Sequence, residues 1–128
     1  MEYKIINKDT PKPWINVLAN KEFGTIVTNN GCGFTYCYNS GEYKITSWTN
    51  DTVVNDKSEG FKINNQLFDP STCTHGFGYS VFESNTDKVD RKITQFVPVN
   101  DNVKVFLMEL TNKTESKQNL NINFWNIK

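Results

Sequence analysis

Alanine is almost missing from this 128-residue chain, Ala19 standing alone. Asparagine makes up about one residue in seven, so the chain is poor in helix formers. No apolar run approaches a membrane span, and the N-terminus MEYKIINKDT has no apolar core of signal-peptide length. The expectation is a cytoplasmic protein with no membrane partner. An excess of one charge is lacking too: 14 Lys and Arg balance 14 Asp and Glu. That argues against a nucleic-acid partner, whose phosphates require a basic face. Cysteine is scarce and odd in number. Cys32, Cys37 and Cys73 contain no CxxC, and the first two are not spaced as in a zinc knuckle. Free, partly buried thiols in a reducing compartment are expected. The sequons at Asn50-Asp51-Thr52 and Asn112-Lys113-Thr114 would matter only in a secreted protein.

What the chain does have is aromatic residues, 13% against a total hydrophobic content of 37%. Phe and Tyr should therefore carry much of the core, which suits sheets better than a helical bundle. The length allows one domain, or part of a larger one. Glu2 to Asn7 reads as an edge strand, and Pro11 and Pro13 stiffen the segment that leads to an apolar cluster of Trp14, Ile15, Val17 and Leu18. Phe23–Thr28 and Gly33–Tyr38 read as strands around a turn at Asn29-Asn30-Gly31. Glu42–Trp48 reads as a further strand, and 49–60 as an exposed polar loop. Phe61–Ile63 and Gln66–Phe68 form a small hairpin over Asn64-Asn65, and the two glycines of Thr72–Phe82 point to a bulged or tightly approached strand. Lys88–Val99, Val103–Thr111 and Leu120–Asn126 alternate cleanly and are expected to form an antiparallel meander. No stretch holds helical periodicity. The expected fold is all-β, an antiparallel two-sheet sandwich. The strong strand so close to Lys128 suggests a domain cut from a longer protein.

Residues with chemical potential are few. His75 is the only histidine and Cys73 lies two residues away, on one face if the segment is a strand. A nucleophile–base pair or a metal ligand set is one reading. The favoured one is a histidine hydrogen-bonded beside a glycine bend. Asp51, Asp56 and Glu59 could supply a glycosidase-style carboxylate pair, yet an Asn/Asp/Lys/Ser loop supports fixed carboxylates poorly, and a solvated loop is expected. Gly31-Cys32-Gly33 reads as a hairpin element rather than a phosphate cradle. Trp14, Trp48, Trp125 and the tyrosines could form a sugar-stacking platform, Trp48 foremost because it adjoins the polar loop, but core or interface packing is the favoured use at strand spacing.

Several stretches taken together carry a resemblance. They are Thr10-Pro11-Lys12-Pro13-Trp14-Ile15-Asn16, Asn20–Gly24 with Gly31–Tyr36, Asn39–Asp51, His75-Gly76-Phe77-Gly78-Tyr79-Ser80 and Phe96-Val97-Pro98. In order and spacing the chain resembles the N-terminal β-sandwich (supersandwich-like) of the cellobiose/chitobiose phosphorylase family of inverting glycoside phosphorylases. The Asn39–Asp51 and Ser58-Glu59-Gly60 segments look closer to the β-1,2-oligoglucan phosphorylase and cyclic β-1,2-glucan synthase branch.

The resemblance implies an accessory and dimerisation domain that packs on a downstream (α/α)6-barrel catalytic domain. The full-length enzyme would cleave or build β-glucosidic bonds with inorganic phosphate as co-substrate, without other cofactors, on β-glucan oligosaccharides. Family catalytic residues belong to the barrel, so none is assigned here and this chain alone is expected to be inactive. Weak substrate-binding candidates are Trp48 and His75, and no metal site is expected. The chain departs from the family pattern at Gly41 and Thr74, where arginine is usual, and at Ser47 and Thr52, where proline is usual. The segment between Phe61 and Thr74 is also shortened. Two missing arginines remove two fixed donor forks for hydroxyl or carboxylate groups. A free-standing carbohydrate-binding module and a structural oligomerisation domain are the alternatives.

Overall fold

The computed structural model describes residues 1–7, 9–48 and 58–127. Among them there is no helix; eleven strands form three antiparallel sheets. In chain order they are β1 (Glu2–Ile5), β2 (Ile15–Ala19), β3 (Phe23–Thr28), β4 (Gly33–Cys37), β5 (Glu59–Ile63), β6 (Gln66–Leu67), β7 (Thr72–Gly76), β8 (Tyr79–Asn85), β9 (Val89–Phe96), β10 (Val105–Asn112) and β11 (Ile122–Asn126). The main sheet runs β1-β7-β8-β9-β10, a second runs β2-β3-β4, and a third runs β11-β5-β6. The expected all-β antiparallel class is what the chain adopts.

Register explains where the core sits. Ile5, Cys73, Phe82, Ile93 and Met108 are successive Cα partners, so they form one apolar row straight across the main sheet. The next row on that face is Tyr3, His75, Ser80, Gln95 and Phe106, because side chains two apart share a face. Leu18 and Val27 from the second sheet and Ile63 from the third complete the buried cluster, with Phe68 beside them. Phenylalanine enters this core as expected. Tyrosine does not: Tyr3, Tyr38 and Tyr43 are exposed, which leaves the hydroxyl in water and avoids burying a donor without a partner.

Two hairpins follow their turn residues. Asn64 and Asn65 both take positive φ, 51° and 64°, the pairing that a two-residue turn needs between β5 and β6. The turn after β3 is closed by Gly31 N–H donating to Thr28 O at 3.1 Å. Asn30 Oδ1 caps it, accepting from Cys32 N–H at 3.0 Å.

Five sequence expectations are corrected. The segment 72–82 is not one bulged strand but the β7–β8 hairpin, with Gly76 facing Tyr79 and Gly78 at φ +84° supplying the left-handed turn position. Phe77 at its tip is almost fully exposed, which an alternation pattern could not foresee. Glu42–Trp48 forms no strand; it is a series of bends tied down by a Tyr36–Lys44 bridge. Trp14, Ile15, Val17 and Leu18 are not a compact cluster: 15–19 is the edge strand β2, which buries Leu18 to 1% and leaves Ile15 and Val17 about half exposed.

The last third is not a meander. β9 and β10 pair, but β11 crosses to pair with β5, Phe124 opposite Phe61 and Trp125 opposite Gly60. Phe61, Phe106 and Phe124 meet with centroids 5.0–5.6 Å apart, and this aromatic contact binds the third sheet to the edge of the main one. Finally, the 49–60 loop does not extend to 60. Residues 49–57 lie outside those described, while Ser58 and Glu59 are buried at the start of β5.

Close approach of backbones is concentrated at Gly33, where a Cβ would sit 2.2 Å from the Ile26 carbonyl oxygen. Gly33→Ala should therefore force the β3–β4 hairpin open and cost about 2–3 kcal/mol. The loss should appear as a lower urea midpoint at unchanged slope, and an unchanged midpoint would contradict the packing described.

Candidate functional site

The two positions singled out by sequence fall in different places. His75 lies on the inner face of the main sheet, beside Ser80 and below β2. Trp48 lies with Phe34, on the face of the second sheet that also carries Ile26 and exposed Val17. They do not converge.

His75 is held at both ring nitrogens. Nε2 donates to the Trp14 carbonyl at 3.0 Å, so Nδ1 is the acceptor of the neutral ring and accepts a hydrogen bond from the Ser80 hydroxyl at 2.9 Å. Asn16 Nδ2 reaches the same Ser80 oxygen at 3.0 Å, and also the carbonyls of Gly76 and Tyr79 at 2.9 and 3.0 Å. Burial pulls the His75 pKa below its ordinary 6.5, against the upward pull of the Trp14 carbonyl. Cys73 Sγ is 3.7 Å from the ring, but burial pushes its thiol up to about 12, so no thiolate forms near neutrality. The pair is a packed thiol beside a hydrogen-bonded histidine, without a free base or an accessible nucleophile. Among the described residues, no three His, Cys, Asp or Glu side chains come together as a metal site.

The tryptophans form no common platform. Trp48 is half-buried, stacked on Phe34 with centroids 4.8 Å apart and planes 24° apart. The Lys44 ammonium stands 5.6 Å from the centroid of that same Phe34 ring. Trp14 meets Tyr3 edge-on at 5.2 Å, and Trp125 covers Gly60 with the Lys62 ammonium 5.9 Å from its ring. The open groove between the β2–β3 turn and the β9–β10 loop, built around Asn20, Glu22 and Asn102, is lined by no aromatic ring.

The strongest electrostatic feature is one that sequence reasoning missed. Glu59, expected in a solvated loop, has a side chain only 7% exposed and forms an ion pair with Lys104, itself 8% exposed. Asp51 and Asp56, its expected carboxylate partners, lie outside the described residues. Lys104 Nζ also donates to Thr25 Oγ1 at 3.0 Å, while Thr35 and Thr46 donate to the second Glu59 oxygen at 3.0 and 3.2 Å. Both Glu59 oxygens and two of the three Lys104 N–H groups are committed within the network, which is the arrangement of a structural tie and not of an acid–base pair. Burial pulls the Lys104 pKa down and Glu59 pulls it back up, the first effect being the larger. A signal was present: Lys104 is in phase with Phe106, Met108 and Leu110, and Glu59 with Phe61 and Ile63, both on the faces turned inward.

The two most distinctive sequence segments are bonded to one another through these contacts: Trp14 and Asn16 of TPKPWIN grip His75, Gly76, Tyr79 and Ser80 of HGFGYS. The family profile of the glycosyl hydrolase 94 supersandwich domain matches residues 1–124. The chain belongs to that family. It is similar to the cyclic beta-(1,2)-glucan synthase NdvB of Rhizobium meliloti (strain 1021), 30% identical over 128 residues, covering 88% of this chain and 4% of that protein. It is also similar to the N,N'-diacetylchitobiose phosphorylases of Vibrio proteolyticus (25% identical; 89% of this chain, 16% of that protein) and Vibrio furnissii (26% identical; 93% and 17%). The supersandwich chain thus spans between a twenty-fifth and about a sixth of the length of these curated relatives.

Two outcomes test this geometry. Lys104→Met strands the buried Glu59 carboxylate and should cost about 3–5 kcal/mol in urea unfolding, most of it recovered in Lys104→Met/Glu59→Leu. The depressed His75 pKa means that, below about 6.5, the unfolded chain takes up a proton that the folded chain refuses, so stability falls with pH there and is unaffected above pH 7. Unfolding midpoints at pH 7.5 and 5.5 should differ more in the native protein than in His75→Gln.

Proposed function

We propose that this chain is the N-terminal accessory and dimerisation domain of an inverting β-glucoside phosphorylase, and is inactive by itself. Its partner would be a downstream (α/α)6-barrel that carries the catalytic groups, in a cytoplasmic enzyme acting on β-glucan oligosaccharides with inorganic phosphate as co-substrate. The observation that carries this reading is the match over residues 1–124 to a domain that forms a small fraction of its relatives, a glucan synthase and two phosphorylases. The interior supports it in a second way. His75, Cys73, Lys104 and Glu59, the groups with chemical potential, are engaged with neighbouring side chains or backbone, and the pocket that Lys104 and Glu59 line, about 30 Å³, is too small for a sugar ring. Trp14 beside Tyr3 on one face of β2, and Ile15 and Val17 on the other, are exposed apolar side chains that docking on a larger domain could cover.

A free-standing carbohydrate-binding module has less in its favour, since Trp48 is stacked on Phe34 and no second ring extends it into a platform. The chain alone, incubated with β-glucans and phosphate, should release no glucose 1-phosphate, and measurable turnover would overturn the reading. In affinity electrophoresis on β-glucans it should migrate without retardation, as should Trp48→Ala. Retardation abolished by that substitution would favour the binding module instead.

A further inference from the structure

The buried pair has an uncommitted neighbour. Gln95 on β9 is 5% exposed, and its Oε1 is buried without a hydrogen-bond partner. A fully buried carbonyl oxygen of this kind is rare in folded proteins, because water would otherwise have bonded it. Gln95 is the Cα partner of Phe106, and Lys104 lies two residues before Phe106 on the same face, so the amide and the ammonium are neighbours in register. Both line one narrow pocket of about 30 Å³, partly open to solvent, whose walls include Glu59 and are otherwise largely apolar, with Phe61, Phe82 and Ile93 among them.

We infer that the inner end of this pocket is a specific hydration site, holding a water molecule between Lys104 Nζ and Gln95 Oε1. The size fits: a water needs roughly 10–15 Å³ of such space, so the cavity takes one and at most two. The donors and acceptors fit as well. Lys104 has three N–H groups, of which Glu59 Oε1 and Thr25 Oγ1 take two. The third donates to the water, and the water donates to Gln95 Oε1, which satisfies the orphan. An ion is the wrong occupant, because the ammonium and carboxylate already cancel and an added charge would stand buried and uncompensated. The bound water would extend the Glu59–Lys104 network onto β9, next to Ser80 of the main sheet's polar row.

A crystal structure of the intact chain at about 1.5 Å resolution is the direct test, together with water–protein nuclear Overhauser effects in solution for the protein as it is. The expected result is a full-occupancy peak within hydrogen-bond reach of both Gln95 Oε1 and Lys104 Nζ, and a long-lived water signal at neighbouring protons of Phe106 and Ile93. Gln95→Leu should abolish both. A dry cavity, a direct Gln95–Lys104 bond that closes it, or a heavier ion in the density would each overturn the inference, and the native protein alone decides among them even if the variant fails to fold.

Discussion

One ion pair, Lys104 with Glu59, sits where the three sheets of this domain meet. Lys104 enters from the start of β10, Glu59 from β5, and the hydroxyls of Thr25 and Thr35 from β3 and β4. Two charges removed from water gain little net stability over apolar residues of the same size, because desolvation offsets most of their attraction. Their effect is on placement. If any one sheet shifts, a buried charge or hydroxyl loses its partner, and that loss is far larger than the loss of a slightly worse apolar contact. Apolar rows such as Ile5–Cys73–Phe82–Ile93–Met108 supply the bulk of the burial. The polar tie selects one mutual arrangement among those that hydrophobic packing alone would accept.

A second tie works between the main and second sheets. Asn16 and the Trp14 carbonyl on the β2 side clasp the β7–β8 hairpin through Ser80 and His75. It accounts for the presence together of TPKPWIN and HGFGYS in this chain: each is the other's binding partner. What looked like catalytic potential, a histidine beside a cysteine and a serine, is a clamp whose donors and acceptors are all engaged. A domain built this way is held in shape by polar contacts that no single sheet could make alone.

Legibility was uneven for identifiable reasons. Hairpins with Asn-rich turns could be read because left-handed backbone restricts residue choice locally. The Gly76–Gly78 segment misled because a two-residue turn and a bulge both call for glycine. Glu42–Trp48 alternates like a strand but has too few cross-strand partners to form one, as its lone bridge to Tyr36 indicates. Glu59 was placed in solvent on the strength of its polar neighbours in sequence, although its phase with Phe61 and Ile63 pointed inward.

By itself, then, the sequence determined the β class, the strand faces and the family, since period-two alternation and turn chemistry are local properties and the diagnostic segments are contiguous. Only the tertiary structure decided the pairing of β11 with β5, the sorting of strands into three sheets, and the meeting of Glu59 with Lys104. Alternation states which way a side chain points but not what it will find there. Partners separated by 45 residues, as Glu59 and Lys104 are, become defined only when the sheets close and bury both charges together.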